Sequence, residues 1–441
     1  MLKKRHVFYL AGFDPRGPSY YHRLYKEQAQ CHSDTFGDGF FEDSADGSAE
    51  ENAGEGVGTS VENIAQGAVE NISVGNRQRI SKHRHDWSVR CAGTDTNYSY
   101  LAWDDIVRRH WARKWLAIFA DFFYVLKTYI INGHCWRFRR VSMQRLLTGF
   151  YPPVYIASLL LCALSLSVFL ARRVYNLALD GMSFDGLELN SMASSADGLG
   201  EANPVVLASA LAALTVVGLC WALLKGAKSL GDKLAVFWML RIYVFMARWA
   251  RGEIDTLESR MESFAQEVLA AIDDDTNDEI LIVAHSVGTV LAIPMLAQVI
   301  RAMGDDPRLH NRRVALLTLG GCTPLMSLQP CAESFRADLS LLVSAPRLRW
   351  LDYTAPSDGA CFVLVDPVAI CGLSAASDAA PALCSPRFFA LYSASYYREL
   401  KYDWYNTHFL YLMATQFRGP YNFFTLTAGN QSIAQRRDCA V

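Results

Sequence analysis

Short apolar runs alternate with amphipathic stretches along most of this chain. The runs are rich in β-branched and aromatic residues and predict strands at residues 6–11, 87–91, 98–103, 280–283, 313–319 and 348–353. Apolar residues recur at helical spacing over 20–30 and 254–272. Such alternation predicts an α/β fold with a mostly parallel sheet flanked by helices. Ligands bind beyond the carboxyl ends of the strands in such sheets, and the polar loops that follow these runs therefore hold the candidate chemistry.

Two longer apolar stretches interrupt this pattern. Residues 152–171 and 203–224 contain no charged residue, and each is long enough to cross a bilayer, which takes about 20 residues. They predict a transmembrane helical hairpin inside a helical insertion over 111–250. Basic residues lie before the first span and after the second, whereas the connection between them is mainly acidic. The positive-inside rule then predicts a multi-pass protein of the inner (cell) membrane, with both long arms in the cytoplasm.

The arms are expected to form one domain, from an N-terminal part at 1–110 and a C-terminal part at 251–441. Residues 32–76 lack lysine and arginine and are rich in Asp, Glu, Gly and Ser, which predicts a disordered acidic loop. Two aromatic-rich segments, 116–131 and 235–249, flank the predicted spans. Three interpretations stay open for them: amphipathic helices on the membrane surface, a cover over a site, or ordinary core helices.

Composition narrows the possible partners. The net charge of the 441 residues is −2, so no global charge favours a nucleic acid. The 11 cysteines are scattered without a C-x-x-C pair. This distribution predicts reduced thiols rather than a disulfide framework or a zinc site. We therefore expect no metal and no cofactor; the sequence leaves the oligomeric state open.

The strongest chemical signal is the run Ala284-His285-Ser286-Val287-Gly288. An apolar strand precedes it, and a helical pattern follows at once. A sharp turn from strand to helix lifts a serine hydroxyl clear of the backbone and leaves the next N–H groups at a helix N-terminus. Ser286 is therefore the candidate nucleophile, and the N–H of Val287 is a candidate donor to an oxyanion.

A serine hydroxyl needs a base and a carboxylate that orients the base. Two histidines follow Ser286: His310 in a charged loop predicted to be at the surface, and His408 in an aromatic segment late in the chain. His408 is the candidate base. Asp358, just after a predicted strand, is the candidate acid, with Asp352 and Asp366 as rivals.

Two further expectations concern the surroundings of Ser286. His285 immediately precedes the serine and is expected to be packed rather than catalytic. The loop after the first strand contains Gly12-Phe13, and the N–H of Phe13 is the second candidate oxyanion donor. Asp14 and Arg16 in the same loop either contact the substrate or brace the turn.

With the Ala-His-Ser-Val-Gly turn, the later Asp358 and His408 and the early Ala-Gly-Phe loop, the chain resembles the α/β-hydrolase superfamily, particularly its lipase and esterase branches. The resemblance covers roughly residues 5–30, 87–110 and 254–420. Ala284 stands where the usual motif has its first glycine, and Ala11-Gly12 stands where lipases commonly have His-Gly.

The resemblance implies a serine hydrolase that cleaves an ester. The predicted hairpin would anchor it in the membrane, with its catalytic domain facing the cytoplasm. Its expected partners are an ester or lipid-like substrate and the bilayer. Thioester or amide chemistry is compatible with the same residues. The alternative is a non-enzymatic membrane scaffold or binding protein built on a hydrolase fold.

Overall fold

The structure is a computed structural model that describes residues 1–37, 71–111, 114–141, 146, 149–188, 204–310, 314–344, 346, 348–376, 378–401, 403–433 and 436. The chain divides into two compact units: Met1–Thr148 with Arg241–Val441, and Gly149–Leu240. The second unit falls inside the predicted insertion at 111–250. Residues 111–148 and 241–250 belong to the first unit.

A mixed sheet of nine strands lies in the first unit. The strands are β1 Lys4–Leu10, β2 Ser73–Val74, β3 Gln78–Arg79, β4 Arg84–Cys91, β5 Thr94–Leu101, β6 Glu279–His285, β7 Val314–Leu319, β8 Arg349–Tyr353 and β9 Ala382–Cys384. Their order is β2-β4-β5-β1-β6-β7-β8-β9, and β3 also pairs with β4. From β5 to β9 all neighbours are parallel, whereas β2, β3 and β5 pair with β4 antiparallel. The predicted α/β fold with a mostly parallel sheet flanked by helices is thus confirmed.

Burial explains why the central strands could be predicted from the sequence. Every residue of β6 and of β7 is buried. Parallel strands covered on both faces are apolar along their whole length, and the runs at 280–283 and 313–319 have that composition. The short strands β2, β3 and β9 carry no such pattern, and the sequence did not predict them.

The helices occupy the intervals between strands and the C-terminal part. Their bounds are α1 Pro18–Phe36, α2 Asp104–Arg109, α3 Trp115–Val125, α4 Tyr151–Glu188, α5 Pro204–Lys233, α6 Val236–Ala250, α7 Asp255–Asp273, α8 Gly288–Met303, α9 Pro307–His310, α10 Thr323–Ser327, α11 Glu333–Val343, α12 Phe388–Leu391, α13 Ala394–Leu400, α14 Trp404–Phe409 and α15 Phe423–Thr427. A π-helical turn, Leu126–Ile131, continues α3. Within the described residues, 3₁₀ segments lie at His134–Arg140, Ala369–Cys371 and Leu410–Leu412.

Helix α1 extends beyond its predicted end. It begins at Pro18, where the missing proline N–H costs no helical hydrogen bond, and it continues to Phe36. Residues 32–36 of the predicted acidic loop are therefore helical. Most of that loop, residues 38–70, lies outside the described residues.

The two predicted membrane spans differ in how far the structure supports them. Within the described part of the chain, Tyr151–Val174 of α4 is long and apolar enough to cross a membrane, and its exposed side chains include Leu161, Leu164 and Phe169. The pair Trp115–Ile131 and His134–Arg140, bent by 62°, would make a second candidate if it formed one span. The second predicted span falls on α5, which is helical but is not among these candidates. The two-span topology and its orientation stay predictions.

The cysteines agree with the expected reduced thiols in all but one described case. Nine are free, at positions 31, 91, 135, 162, 220, 322, 331, 361 and 371. Cys384, at the end of β9, is in a disulfide bond, so the expectation of reduced thiols is wrong for this residue.

Candidate active site

Ser286 lies on the sharp turn between β6 and α8. Its φ is +57°, in the left-handed region that residues with a side chain rarely adopt. Its N–H donates to the carbonyl of Leu319 at 2.9 Å, and its own carbonyl accepts from the N–H and the hydroxyl of Thr289 at 3.0 and 2.6 Å. Because these bonds fix both sides of the peptide, the turn holds a conformation that costs about 1–3 kcal/mol.

The turn requires small residues because two backbone segments approach it. A Cβ on Gly288 would lie 2.3 Å from the carbonyl oxygen of Leu10, at the end of β1. A Cβ on Gly12 would lie 2.7 Å from Ser286 Cβ and 3.1 Å from its Oγ. Both distances are below normal contact. The loop after β1 therefore passes directly beside the serine, and glycine at both positions makes that approach possible.

His408 and Asp358 form a buried pair. His408 Nδ1 is 2.8 Å from Asp358 Oδ2, and neither side chain is more than 1% exposed. His408 lies in α14, whose N-cap Asp403 accepts a hydrogen bond from the N–H of Asn406. Asp358 lies in the loop after β8. The two residues are 50 positions apart, and the structure brings them together as the sequence predicts.

Charge and hydrogen bonding keep Asp358 ionised. Burial alone would raise the pKa of this carboxyl. The nearby charge of His408, its hydrogen bond, the Ala360 N–H, which donates at 2.9 Å, and the Cys361 thiol all lower the pKa, and together they outweigh burial. The net result is a pKa below the usual range of an aspartate. An ionised Asp358 accepts a hydrogen bond from Nδ1–H and leaves Nε2 of His408 as the basic nitrogen.

The two rival acids occupy other positions. Asp352 Oδ1 accepts a hydrogen bond from the Thr318 hydroxyl at 2.6 Å, between β8 and β7. Asp366 Oδ1 accepts from the N–H groups of Val368 and Ala369 and so caps a 3₁₀ turn. His310 is the last residue of the short helix α9. None of these contacts joins a rival to His408.

His285 packs against the candidate base. Its ring centroid is 4.7 Å from that of His408, and its Nε2 is 2.9 Å from the His408 carbonyl oxygen. Burial, aided by the charge of His408, lowers the pKa of His285 to about 3. The ring is therefore neutral at pH 7, and its Nε2–H donates to that carbonyl. This contact links the residue before Ser286 to the backbone of His408.

The loop after β1 is braced from within. The hydroxyl of Tyr21 and the guanidinium of Arg16 both bond to Asp14, at 2.8 and 2.6 Å. Arg16 also lies over the ring of Phe409, the residue after His408, at 4.9 Å. Phe13 is buried in this loop. Of the two roles left open for Asp14 and Arg16, these contacts favour bracing.

Sequence reasoning missed Tyr411 and Gly320. The Tyr411 hydroxyl donates to Asp358 Oδ2 at 3.2 Å. Gly320 has a φ of +58°, and a Cβ there would lie 3.1 Å from Asp358 Oδ2 and 3.2 Å from His408 Cε1. No local pattern marks Tyr411. The Gly320-Gly321 pair after a strand was visible, but its partner residues were not.

Among the residues that the structure describes, no cluster of three or more His, Cys, Asp or Glu side chains could hold a metal ion. Comparisons of the chain with protein-family models, with curated proteins and with solved structures find no match.

We expect Gly12→Ala to damage the site without removing any reactive group. The added methyl would contact Ser286 and push the early loop away, so reaction at the serine should slow by about 10²–10³-fold if this loop supplies an oxyanion donor. The rate of fluorophosphonate labelling measures this. Gly226→Ala is the matched control, since nothing lies within 4 Å of a Cβ there. An unchanged rate in Gly12→Ala would contradict a role for the loop.

The burial of Asp352 leads us to expect that the stability of the protein depends on pH. Burial raises its pKa from 3.8 to about 7, although the Thr318 hydrogen bond lowers it. Above about pH 4 the folded state thus keeps a proton on Asp352 that the unfolded state loses. The contribution of this carboxyl to the free energy of unfolding is therefore full below pH 4 and is lost as the pH rises to 7. Asp352→Asn should therefore raise the free energy of unfolding at pH 8, by on the order of 1 kcal/mol or more. Denaturation at pH 4 and pH 8 checks this, and an equal effect at both would refute it.

Proposed function

We propose that the protein is a membrane-anchored serine hydrolase that cleaves an ester, with an α/β-hydrolase-like first unit. The observation that supports this most is the buried Asp358–His408 pair, which packs against His285, the residue before a serine at positive φ. Structural histidines and serines have no need of this combination. A hydrolase needs all three: a serine hydroxyl, a base and an orienting carboxylate.

The proposed reaction proceeds through an acyl-enzyme. Ser286 Oγ attacks the ester carbonyl carbon while His408 Nε2 takes the hydroxyl proton. The carbonyl oxygen becomes an oxyanion, which accepts hydrogen bonds from the N–H groups of Val287 and Phe13. The C–O bond then breaks, and the alcohol leaves with the proton from His408.

Water completes the cycle by the same route. It attacks the acyl carbon, gives a proton to His408 and releases the carboxylic acid, while the serine hydroxyl regains its proton. Asp358 stays ionised throughout and stabilises the imidazolium. No metal or cofactor is needed in this scheme.

The helix-turn geometry supports the placement of one oxyanion donor. Val287 is the N-cap of α8, a helix of 16 residues. The first N–H groups of a helix have no acceptor within it, and the helix dipole favours negative charge there. The Val287 N–H therefore lies where a developing negative charge would be stabilised.

The proposed location follows from α4. The apolar stretch Tyr151–Val174 supports an anchor in the inner (cell) membrane, and the basic flanks favour a cytoplasmic catalytic unit. An enzyme held there meets lipid or lipid-like esters at the bilayer surface. The substrate class thus rests on location.

Activity-based labelling tests the proposal. A fluorophosphonate probe should label the detergent-solubilised full chain, and Ser286→Ala should remove the label because the probe bonds covalently to an activated serine. Ser259→Ala, at an exposed position of α7, is the matched control and should label normally. Labelling that survives Ser286→Ala would eliminate the nucleophile. A wild-type chain that does not label would favour the non-enzymatic scaffold.

A further inference from the structure

The first unit carries a bent surface segment with two unlike faces. We call Trp115–Ile131 together with His134–Arg140 the bent segment; its two helical parts meet at 62°. On one face, Ile118, Phe122 and Val125 are buried. A helix with one face packed on a folded unit cannot be surrounded by lipid on all sides. Any contact of the bent segment with lipid is therefore made by its other face.

The inner face contacts other elements of the first unit. Gln329 donates to the hydroxyl of Tyr129 at 2.7 Å, and that hydroxyl donates to the Tyr243 carbonyl at 3.0 Å. The ring of Phe138 lies 6.3 Å from that of Phe362, four residues after Asp358. The bent segment is thus fixed beside the loop that carries the candidate acid.

The outer face exposes large apolar side chains. Leu116, Phe123, Ile131 and Trp136 are exposed by 82%, 58%, 72% and 63%. Leu116 and Phe123 are seven residues apart in α3, which places them on one side of that helix, and Ile130 is exposed in the π-helical turn that follows. Scattered apolar residues on a surface need no explanation, but a continuous stripe marks an interaction site.

Basic residues accompany this stripe. Lys114, Lys127, Arg137, Arg139 and Arg140 are exposed. The one acidic residue between positions 114 and 140, Asp121, is half-buried. An anionic bilayer surface offers acyl chains to apolar side chains and negative headgroups to lysine and arginine. The bent segment has both kinds of side chain, and its acidic residue is not fully exposed.

We propose that the outer face of the bent segment binds the surface of an anionic phospholipid bilayer. Ten residues join it to α4, the candidate span, so a bilayer lies within reach along the chain. The charge pattern favours lipid over a second copy of this chain, whose own bent segment would bring like charges together. Resting on the proposed function, this contact would place the Asp358 loop near the source of lipid esters.

Depth-dependent quenching of Trp136 tests the contact. The full-length wild type and Trp136→Phe are placed, one copy per disc, in lipid nanodiscs that contain brominated phosphatidylcholine, with or without phosphatidylserine. The difference between the two emissions isolates Trp136. With phosphatidylserine, we expect this difference to be blue-shifted and strongly quenched.

Charge removal provides the second arm. Each basic residue near an anionic surface contributes about 1 kcal/mol, so Arg137→Gln, Arg139→Gln and Arg140→Gln together should lower the bound-to-free ratio of the segment by on the order of 100-fold. Exposed Arg79, Lys82 and Arg398, each changed to Gln, form a control with the same net charge and should leave quenching unchanged.

The outcomes separate this inference from the proposed function. Absence of Trp136 quenching in the phosphatidylserine discs, or an equal loss in the control triple variant, overturns the lipid contact. Ser286→Ala should retain full quenching. If Trp136 is quenched but the chain does not react with fluorophosphonate, the lipid contact is supported and the proposed hydrolase function is contradicted. If the chain reacts with fluorophosphonate but Trp136 is not quenched, the hydrolase function is supported and the lipid contact is contradicted.

Discussion

Asp358→Asn should lower hydrolysis of a p-nitrophenyl ester by about 10⁴-fold. Asparagine keeps the shape of the side chain but removes the charge that stabilises the imidazolium. Its amide also presents an N–H to His408, which favours the tautomer with the proton on Nε2. That tautomer cannot accept the Ser286 proton. The rate of fluorophosphonate labelling should fall in the same proportion.

Asp352→Asn is the matched control for this result. Both carboxyls are buried, and Asp352 lies within β8 whereas Asp358 lies in the loop after it, but Asp352 is hydrogen-bonded to Thr318 instead of His408. We expect its ester hydrolysis to stay within a few-fold of wild type. Equal losses in the two variants would show general damage to this part of the sheet. A loss only in Asp352→Asn would exchange the roles of the two acids.

Glu279→Gln should lower the free energy of unfolding by about 3–5 kcal/mol. Glu279 Oε2 is 2.7 Å from Arg5 Nε, and both side chains are at most 1% exposed. Its Oε1 accepts from the hydroxyl of Ser432 and the N–H of Ile433. Removing the charge leaves Arg5 buried without its counter-ion. The single oxygen of glutamine can accept from Arg5 or from Ser432 and Ile433, but not from both sets of donors.

Chemical denaturation of the full chain in detergent measures this effect. Asp95→Asn is the control, because its ion pair with Arg90 has the same chemistry but is mostly exposed. Water and salt screen such a pair, so the change there should be below about 1 kcal/mol. Similar values for the two variants would contradict the claim that burial makes the Arg5–Glu279 pair critical.

Several elements could be predicted because local physics dominates there. The strands β6 and β7 are buried on both faces, so their sequences are continuously apolar, and the turn at Ser286 has the small residues that it requires. Strand β9 has three residues and no pattern of its own. It forms by pairing with β8, and that pairing is a long-range event.

The candidate site divides in the same way. The position of Asp358 after a predicted strand and of His408 late in the chain predicts that the two residues pair, and the structure shows this pair. The choice between Asp358 and Asp352 was left open, since both lie near the end of one strand. Tertiary structure decides it through side-chain direction: Asp352 points towards Thr318, and Asp358 reaches His408.

The sequence by itself determined the α/β class, the serine turn and an apolar stretch long enough to cross a bilayer. Periodicity and small-residue spacing are local properties, which adjacent residues set. Only the tertiary structure decided that Gly12 lies against Ser286, that His285 holds the backbone of His408, and that the bent segment exposes an apolar and basic face. Those contacts join residues far apart in the chain, and no local pattern encodes which distant surface a side chain meets.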